Sequence, residues 1–218
     1  MPALKLVIFD CDGVMFDSKD ANKHFYNHIL ARFGHPPMTS EELEYVHMHH
    51  VMDSVRHIFR HYPEDLAAAE QDRKSIDYLP FLKYMTMEPD LPEFLRLLRP
   101  TCDAAISTNR TTTMSTLLKI FELEKYFDLV VTAVDVERPK PHPEALHKIL
   151  DHFGCRVEEA VYIGDSEVDR QHTASLGMRL IAYKNPALAA EFHVQSFMEI
   201  TALPFWPGSL SPRRANVS

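Results

Sequence analysis

Five short stretches of the chain are apolar almost without interruption and of strand length: Leu4 to Phe9, Ala104 to Ser107, Leu129 to Val134, Ala160 to Ile163 and Met178 to Tyr183. A strand with one face in water alternates apolar and polar residues. Unbroken runs belong to strands buried on both faces, the condition of a parallel sheet covered by helices on either side. Helical periodicity lies between the runs. Met114, Leu117, Leu118 and Phe121 share the spacing i, i+3, i+4, i+7, and so do Leu146, Ile149, Leu150 and Phe153. The repeated order of strand, helix and strand predicts an α/β fold with a doubly wound, Rossmann-like parallel sheet. Ligands of such sheets bind beyond the carboxyl ends of the strands. There the chain places Asp10, then Thr108 and Asn109, then Gly164 and Asp165.

Residues 16–88 break the rhythm. Phe25, Ile29 and Phe33 share one helical face, and Val55, Ile58 and Phe59 share another, while Thr39 and Glu42 form a capping-box pattern that starts a further helix. No convincing strand is read in this stretch. It is expected to be an α-helical domain inserted into a core made of 1–15 and 89–203, with Pro89 and Pro92 marking the return. From 204 to 218 the sequence turns to Pro, Gly, Ser and Arg and is expected to be a poorly ordered tail.

Composition narrows the classes of function. The formal charge is −8, from 31 acidic against 23 basic residues, which supplies no general attraction to nucleic acid or to an anionic membrane. No run approaches the ~18 apolar residues of a membrane span, and the N-terminus shows no secretory leader. Three widely spaced cysteines, Cys11, Cys102 and Cys155, read as reduced thiols and point to a cytoplasmic protein.

Four motifs carry the chemistry, and each has a plainer reading. In Asp10-Cys11-Asp12-Gly13-Val14 an extended backbone sends Asp10 and Asp12 to the same side, where two carboxylates repel unless they share a proton or a cation; the plainer reading is an Asp turn before glycine. Thr108 and Asn109 can donate to phosphate oxygens, or can cap a helix over 110–121. Lys140 stands between Pro139 and Pro141, which restrict where its ammonium points, yet most loop lysines are simply solvated. In Gly164-Asp165-Ser166-Glu167-Val168-Asp169, Ser166 and Asp169 fit a capping box, which leaves Asp165 unexplained. Together the motifs gather Asp10, Asp12, Asp165 and Asp169 around one obvious counter-charge, Lys140. Such a cluster calls for a hard, oxygen-loving cation such as Mg²⁺.

These motifs, with Ser107-Thr108-Asn109 and Arg138-Pro139-Lys140-Pro141-His142-Pro143, resemble the haloacid dehalogenase superfamily in order and separation across residues 4–185. The helical insert resembles that family's cap in phosphoglycolate phosphatases and β-phosphoglucomutases. The resemblance implies a Mg²⁺-dependent phosphohydrolase acting on a small phosphomonoester such as phosphoglycolate, a sugar phosphate or a nucleotide. It implies Asp10 as nucleophile through an aspartyl-phosphate, Asp12 as acid and base, Thr108 and Asn109 as phosphate donors, and Lys140 as charge neutraliser. Asp10, the Asp12 carbonyl and Asp165 are implied metal ligands, with Asp169 close to the ion or to Lys140. An acid two residues after the nucleophile separates this chain from the family's dehalogenases and phosphonatases. Closure of a cap would exclude water and read the substrate.

Alternatives of a mutase and of a non-catalytic module on the same fold stay open. In the cap, His24 falls about two residues too late to match the mutase histidine, and no Gly or Arg of the family's substrate loop is found in His47-Met48-His49-His50-Val51-Met52. His50 and Arg56 are the cap residues expected to touch substrate. The cluster of His47, His49, His50, His57 and His61 lacks the carboxylate or cysteine that would complete a familiar metal site. The partner the resemblance implies is a small phosphorylated metabolite, with neither nucleic acid nor membrane expected, and the chain is expected to act as a monomer or homodimer.

Overall fold

The computed structural model describes residues 3–48 and 51–207. Its described strands are β1 (Leu6–Phe9), β2 (Phe16–Asp17), β3 (Thr86–Met87), β4 (Asp103–Ser107), β5 (Leu129–Val131), β6 (Ala160–Gly164), β7 (Arg179–Tyr183) and β8 (Phe192–Val194). Its helices are α1 (Lys19–Arg32), α2 (Ser40–Met48), α3 (Val51–Ile58), α4 (Leu66–Arg73), α5 (Leu91–Leu98), α6 (Met114–Ile120), α7 (Glu144–Phe153) and α8 (Glu167–Ala174). The chain divides into two compact units, Met1–Met15 with Met87–Ser218, and Phe16–Thr86.

The first unit is built on a six-stranded sheet in the order β5-β4-β1-β6-β7-β8, with every pair parallel. β1 lies at the centre, with Phe9 level with Ile106 of β4 and Ile163 of β6. All four β1 residues are buried, as an unbroken apolar run requires. Leu6 and Ile8 pack towards Leu146 and Ile149 of α7. Phe9 meets Phe94 of α5 at a ring separation of 6.1 Å and Phe197 at 6.0 Å. Each such fully buried side chain contributes on the order of 1.5–3 kcal/mol. The chain reverses its direction of strand addition on either side of β1, so the carboxyl ends of β1, β4 and β6 open on the topological switch point where ligands of this architecture sit.

Several expectations are corrected. The third run stops as a strand at Val131 rather than Val134, because the Thr132 amide and hydroxyl both donate to Asp135 (2.8 and 2.6 Å) and turn the chain. The helix expected over 110–121 begins at Met114, since the Arg110 carbonyl accepts from Ala133 instead of from a helical amide. Thr108 and Asn109 are therefore not its caps. Helix α5 stands where the sequence suggests only a boundary at Pro89 and Pro92: Leu91, Phe94, Leu95 and Leu98 have clean helical spacing and are all buried. The chain also stays packed past residue 204: Phe205 and Trp206 are buried, with Trp206 5.4 Å from Phe94. The rest of the expected tail, 208–218, lies outside the described residues.

The second unit holds α1 to α4 around Phe25, Ile29, Val46, Val55, Ile58, Phe59 and Ala69, with Phe33 packed against them. Thr39 and Glu42 close the capping box at α2: the Thr39 amide donates to Glu42 (2.9 Å) and the Glu42 amide to the Thr39 hydroxyl (3.2 Å). The unit is not wholly helical, for β2 and β3 pair as a two-stranded ribbon where the chain leaves the first unit and returns to it. No helix among the described residues is long and apolar enough to cross a membrane.

Candidate active site

Asp10 follows β1 directly, and its amide donates to the Ile163 carbonyl at 2.9 Å, which ties it to the end of β6. Lys140 arrives from the loop after β5, ahead of a cis peptide bond to Pro141. Its ammonium meets Asp10 Oδ1 at 2.8 Å, Asp169 Oδ1 at 2.7 Å and the Tyr162 hydroxyl at 3.0 Å. Lys140 and Asp10 are each 8% exposed and Asp169 is wholly buried, so this is no solvated loop lysine. The Tyr162 hydroxyl lies 2.9 Å from the Ser107 carbonyl and 3.0 Å from Asp169 Oδ1, with one hydrogen to share between them.

Asp169 holds the floor of the cluster. Its Oδ2 accepts from the Ser166 hydroxyl (2.7 Å) and from the amides of Ser166 (3.2 Å) and Asp165 (3.3 Å), completing the capping box of α8. Both of its oxygens are engaged, which places it with Lys140. Two glycines allow this closeness. A Cβ on Gly164 would stand 2.6 Å from Asp169 Cβ, and one on Gly13, whose φ is +76°, would stand 2.0 Å from Asp165 Oδ2. Asp165 thus lies against the Asp12–Gly13 backbone, and the Asn185 amide fixes its carbonyl at 2.7 Å.

The electrostatics are crowded. Burial, with the nearby charges of Asp169 and Asp12, pushes the Asp10 carboxyl up to about 7 despite Lys140. Burial, with Asp10 and Asp169, pushes Asp165 up to about 8. Burial would raise Asp169 too, but Lys140 and its hydrogen bonds outweigh that and hold it below the usual range. Burial opposes the Lys140 charge, yet Asp10 and Asp169 keep its pKa well above the ordinary value. Asp10, Asp165 and Asp169 each offer an oxygen within 4.8 Å of the others. Carboxylates that resist ionising together, on a site rich in oxygen donors, fit a hard divalent cation.

Lys140 is not the only counter-charge. Arg110, unread in the sequence, pairs with Asp12 through two bonds of 2.7 and 2.6 Å. The visible signal was its position two residues beyond Thr108 at the end of a strand. Thr108 itself is buried, with its amide on the Val131 carbonyl (3.1 Å) and its hydroxyl accepting from the Arg110 amide (3.2 Å). Asn109 is exposed and donates to the Lys140 carbonyl at 3.1 Å.

In the second unit Arg56 is exposed and faces Asp53 (3.5 Å) and Glu70 (3.3 Å). His50 and His49 lie outside the described residues, as does the side chain of His47. His57 stacks on Tyr45 at 3.7 Å, and the one metal-capable group found among the described residues is the aspartate cluster.

His172 of α8 is buried beneath the site, with Nε2 3.1 Å from the Ser107 hydroxyl. Burial, then the Lys140 charge, pushes its pKa down from 6.5 to about 4. Between those values the unfolded chain binds more protons than the folded one, so stability falls as pH falls through that window. The full loss is about 3 kcal/mol. Melting curves from pH 7 to 4.5 should therefore drop more steeply for the wild type than for His172→Asn; parallel curves would show that the ring does not titrate this way.

The family model for haloacid dehalogenase-like hydrolases matches residues 7–183. The solved structure of a haloacid dehalogenase superfamily hydrolase, subfamily IA, variant 1, from Geobacter sulfurreducens is 40% identical, covers 90% of this chain and 94% of that one, and superposes with a TM-score of 0.82. A predicted phosphoglycolate phosphatase from Haemophilus somnus shares the fold at 19% identity, covering 92% of this chain and 97% of that one, with a TM-score of 0.75. Among curated proteins, pyrophosphatase PpaX of Bacillus cereus is 44% identical over 64 residues, 29% of this chain and 30% of that protein. The first curated relatives are matched over half of their length or less. The family match over most of the chain, and the 40% identity carried along nearly all of a solved relative, lead to one conclusion: this chain belongs to the haloacid dehalogenase-like hydrolase family.

Proposed function

We propose that the chain is a Mg²⁺-dependent phosphohydrolase that cleaves a small phosphate ester or anhydride through an aspartyl-phosphate on Asp10. The observation that carries this reading is the buried contact of Asp10 with Lys140 at the carboxyl end of a central parallel strand, beside Asp165 and Asp169. Asp10, the Asp12 carbonyl and Asp165 would hold Mg²⁺, and when bound it would offset charge on the phosphoryl oxygens. One Asp10 oxygen attacks phosphorus as the bond to the leaving oxygen breaks, and Asp12 donates a proton to that oxygen. Asp12 then takes a proton from water, which attacks phosphorus and releases Asp10. Lys140 neutralises Asp10 and the phosphoryl group, and Thr108 with Asn109 donates to phosphoryl oxygens. Catalysis of this kind rests mainly on positioning and charge.

The test is phosphate release from a panel of phosphorylated metabolites with and without Mg²⁺. Release that requires the ion supports the reading, and none from any compound contradicts it. A second expectation concerns Asn185, which holds the Asp165 carbonyl. Asn185→Ala should raise the Mg²⁺ concentration for half-maximal activity by about tenfold, as loss of an outer-shell partner does. Its thermal midpoint should also respond less to added Mg²⁺ than that of the wild type. An unchanged Mg²⁺ response would remove Asn185 from the site's support.

A further inference from the structure

A ring of contacts joins Asp165 to Glu88, one residue after the chain re-enters the first unit at Met87. Gly13 packs on the Asp165 carboxyl group, so closely that a Cβ there would stand 2.0 Å from Oδ2. Two residues on, the Met15 carbonyl accepts from the Glu88 amide at 3.0 Å. The Lys184 ammonium lies 2.7 and 2.6 Å from the two Glu88 carboxylate oxygens. Lys184 is followed by Asn185, whose side-chain nitrogen donates to the Asp165 carbonyl at 2.7 Å. The Asn185 side-chain oxygen accepts from the Ala187 amide at 3.1 Å, which fixes which way that side chain faces.

An ion pair with one partner in water usually contributes little, and the Lys184 side chain is 45% exposed. Two observations give this pair a task. Lys184 stands at φ +52°, in the left-handed region that a residue with a Cβ seldom enters. Such a backbone persists only where its surroundings hold it. Here the holds are the Glu88 carboxylate on the side chain and the Val194 carbonyl, which accepts from the Lys184 amide at 2.8 Å. The turn made at Lys184 also carries Asn185 from the end of β7 to the residue that ends β6. Glu88 is itself firmly seated: it is buried, its amide is on Met15, and its carbonyl accepts from the Leu91 amide at 3.2 Å where α5 begins. Glu88 is thus the fixed end of a clamp, and Lys184 with Asn185 is the arm that it aims at Asp165. Partners of this outer kind set the orientation of a metal ligand and so its affinity. We infer that Glu88 is a positioning residue for the metal site, gripping Lys184 so that Asn185 stays on Asp165, a role that rests on the Mg²⁺-dependent reading proposed above and extends it to the return from the inserted unit.

The test is calorimetric titration of Mg²⁺, without substrate, into the wild type, Glu88→Gln, Lys184→Met and the double variant. Glu88→Gln keeps the shape and loses the charge, and it should weaken Mg²⁺ binding about fivefold. Lys184→Met should do about the same, and the double variant should be no worse than either single one. Coupling between two sites is reciprocal, so Mg²⁺ should in turn tighten the clamp. Hydrogen exchange at the Lys184 amide should therefore slow when Mg²⁺ is added to the wild type, and much less in Glu88→Gln. Unchanged Mg²⁺ affinity in Glu88→Gln, whatever its thermal midpoint, would overturn the role of Glu88 and leave the pair as a structural tie, with the hydrolase reading untouched. Losses that add up in the double variant would overturn it as well, because the two side chains would then act separately. A wild type that binds no Mg²⁺ would instead contradict the metal reading itself, and the role of Glu88 would fall with it.

Discussion

Asp10→Asn is expected to lower phosphate release by about four orders of magnitude or more, without lowering the thermal midpoint. An amide has the shape of the carboxyl group but not its nucleophilic charge, so the proposed attack on phosphorus is lost. The fold has no reason to suffer. Burial and neighbouring charges already disfavour the Asp10 carboxylate and push its pKa up to about 7. Its neutral analogue removes repulsion with Asp165 and Asp169, and the Lys140 ammonium keeps Asp169 at 2.7 Å. Activity and stability should therefore move in opposite directions, as they do where a strained site serves chemistry. A variant that loses both in proportion would mean that Asp10 is chiefly structural.

Lys140→Met should fail on both counts. It removes the one ammonium that contacts Asp10 and Asp169 and leaves a wholly buried Asp169 carboxylate supported by hydrogen bonds alone. Breaking a buried pair by taking one partner away costs about 3–5 kcal/mol, and charge on the phosphoryl group would go unopposed at a cost of about 10³-fold or more in turnover. A double variant, Lys140→Met with Asp169→Asn, should recover part of the stability, since the stranded charge is gone, but none of the activity. Denaturant unfolding of the four proteins gives the coupling directly. Strict additivity would show that the two side chains do not stabilise one another.

The parts of this molecule that were legible from the chain are those that local pattern writes down. Strands β1, β4, β6 and β7 announced themselves as apolar runs, and Asp10, Thr108 and Asp165 as the polar residues that end three of them. The Ser166–Asp169 cap and the Thr39–Glu42 cap were visible because their partners sit three residues apart. What stayed hidden was made by partners distant in sequence. Arg110 meets Asp12 across 98 positions, and Asn185 meets Asp165 across 20. Tyr162 reads as an ordinary strand residue, and only the sheet brings its hydroxyl to Lys140. Helix α5 was lost for a different reason: two prolines near its start read as a boundary, although proline suits the first turn of a helix.

The covalent step is the centre of the account, and it can be caught. Wild type, Asp10→Asn and Lys140→Met, mixed with phosphorus-labelled substrate and Mg²⁺ and quenched in acid during turnover, would be digested and mapped for acid-stable label. The account predicts label on Asp10 in the wild type, turning over with phosphate release, and none in Asp10→Asn. Phosphate release with no label on Asp10, or label carried by another residue, would contradict it.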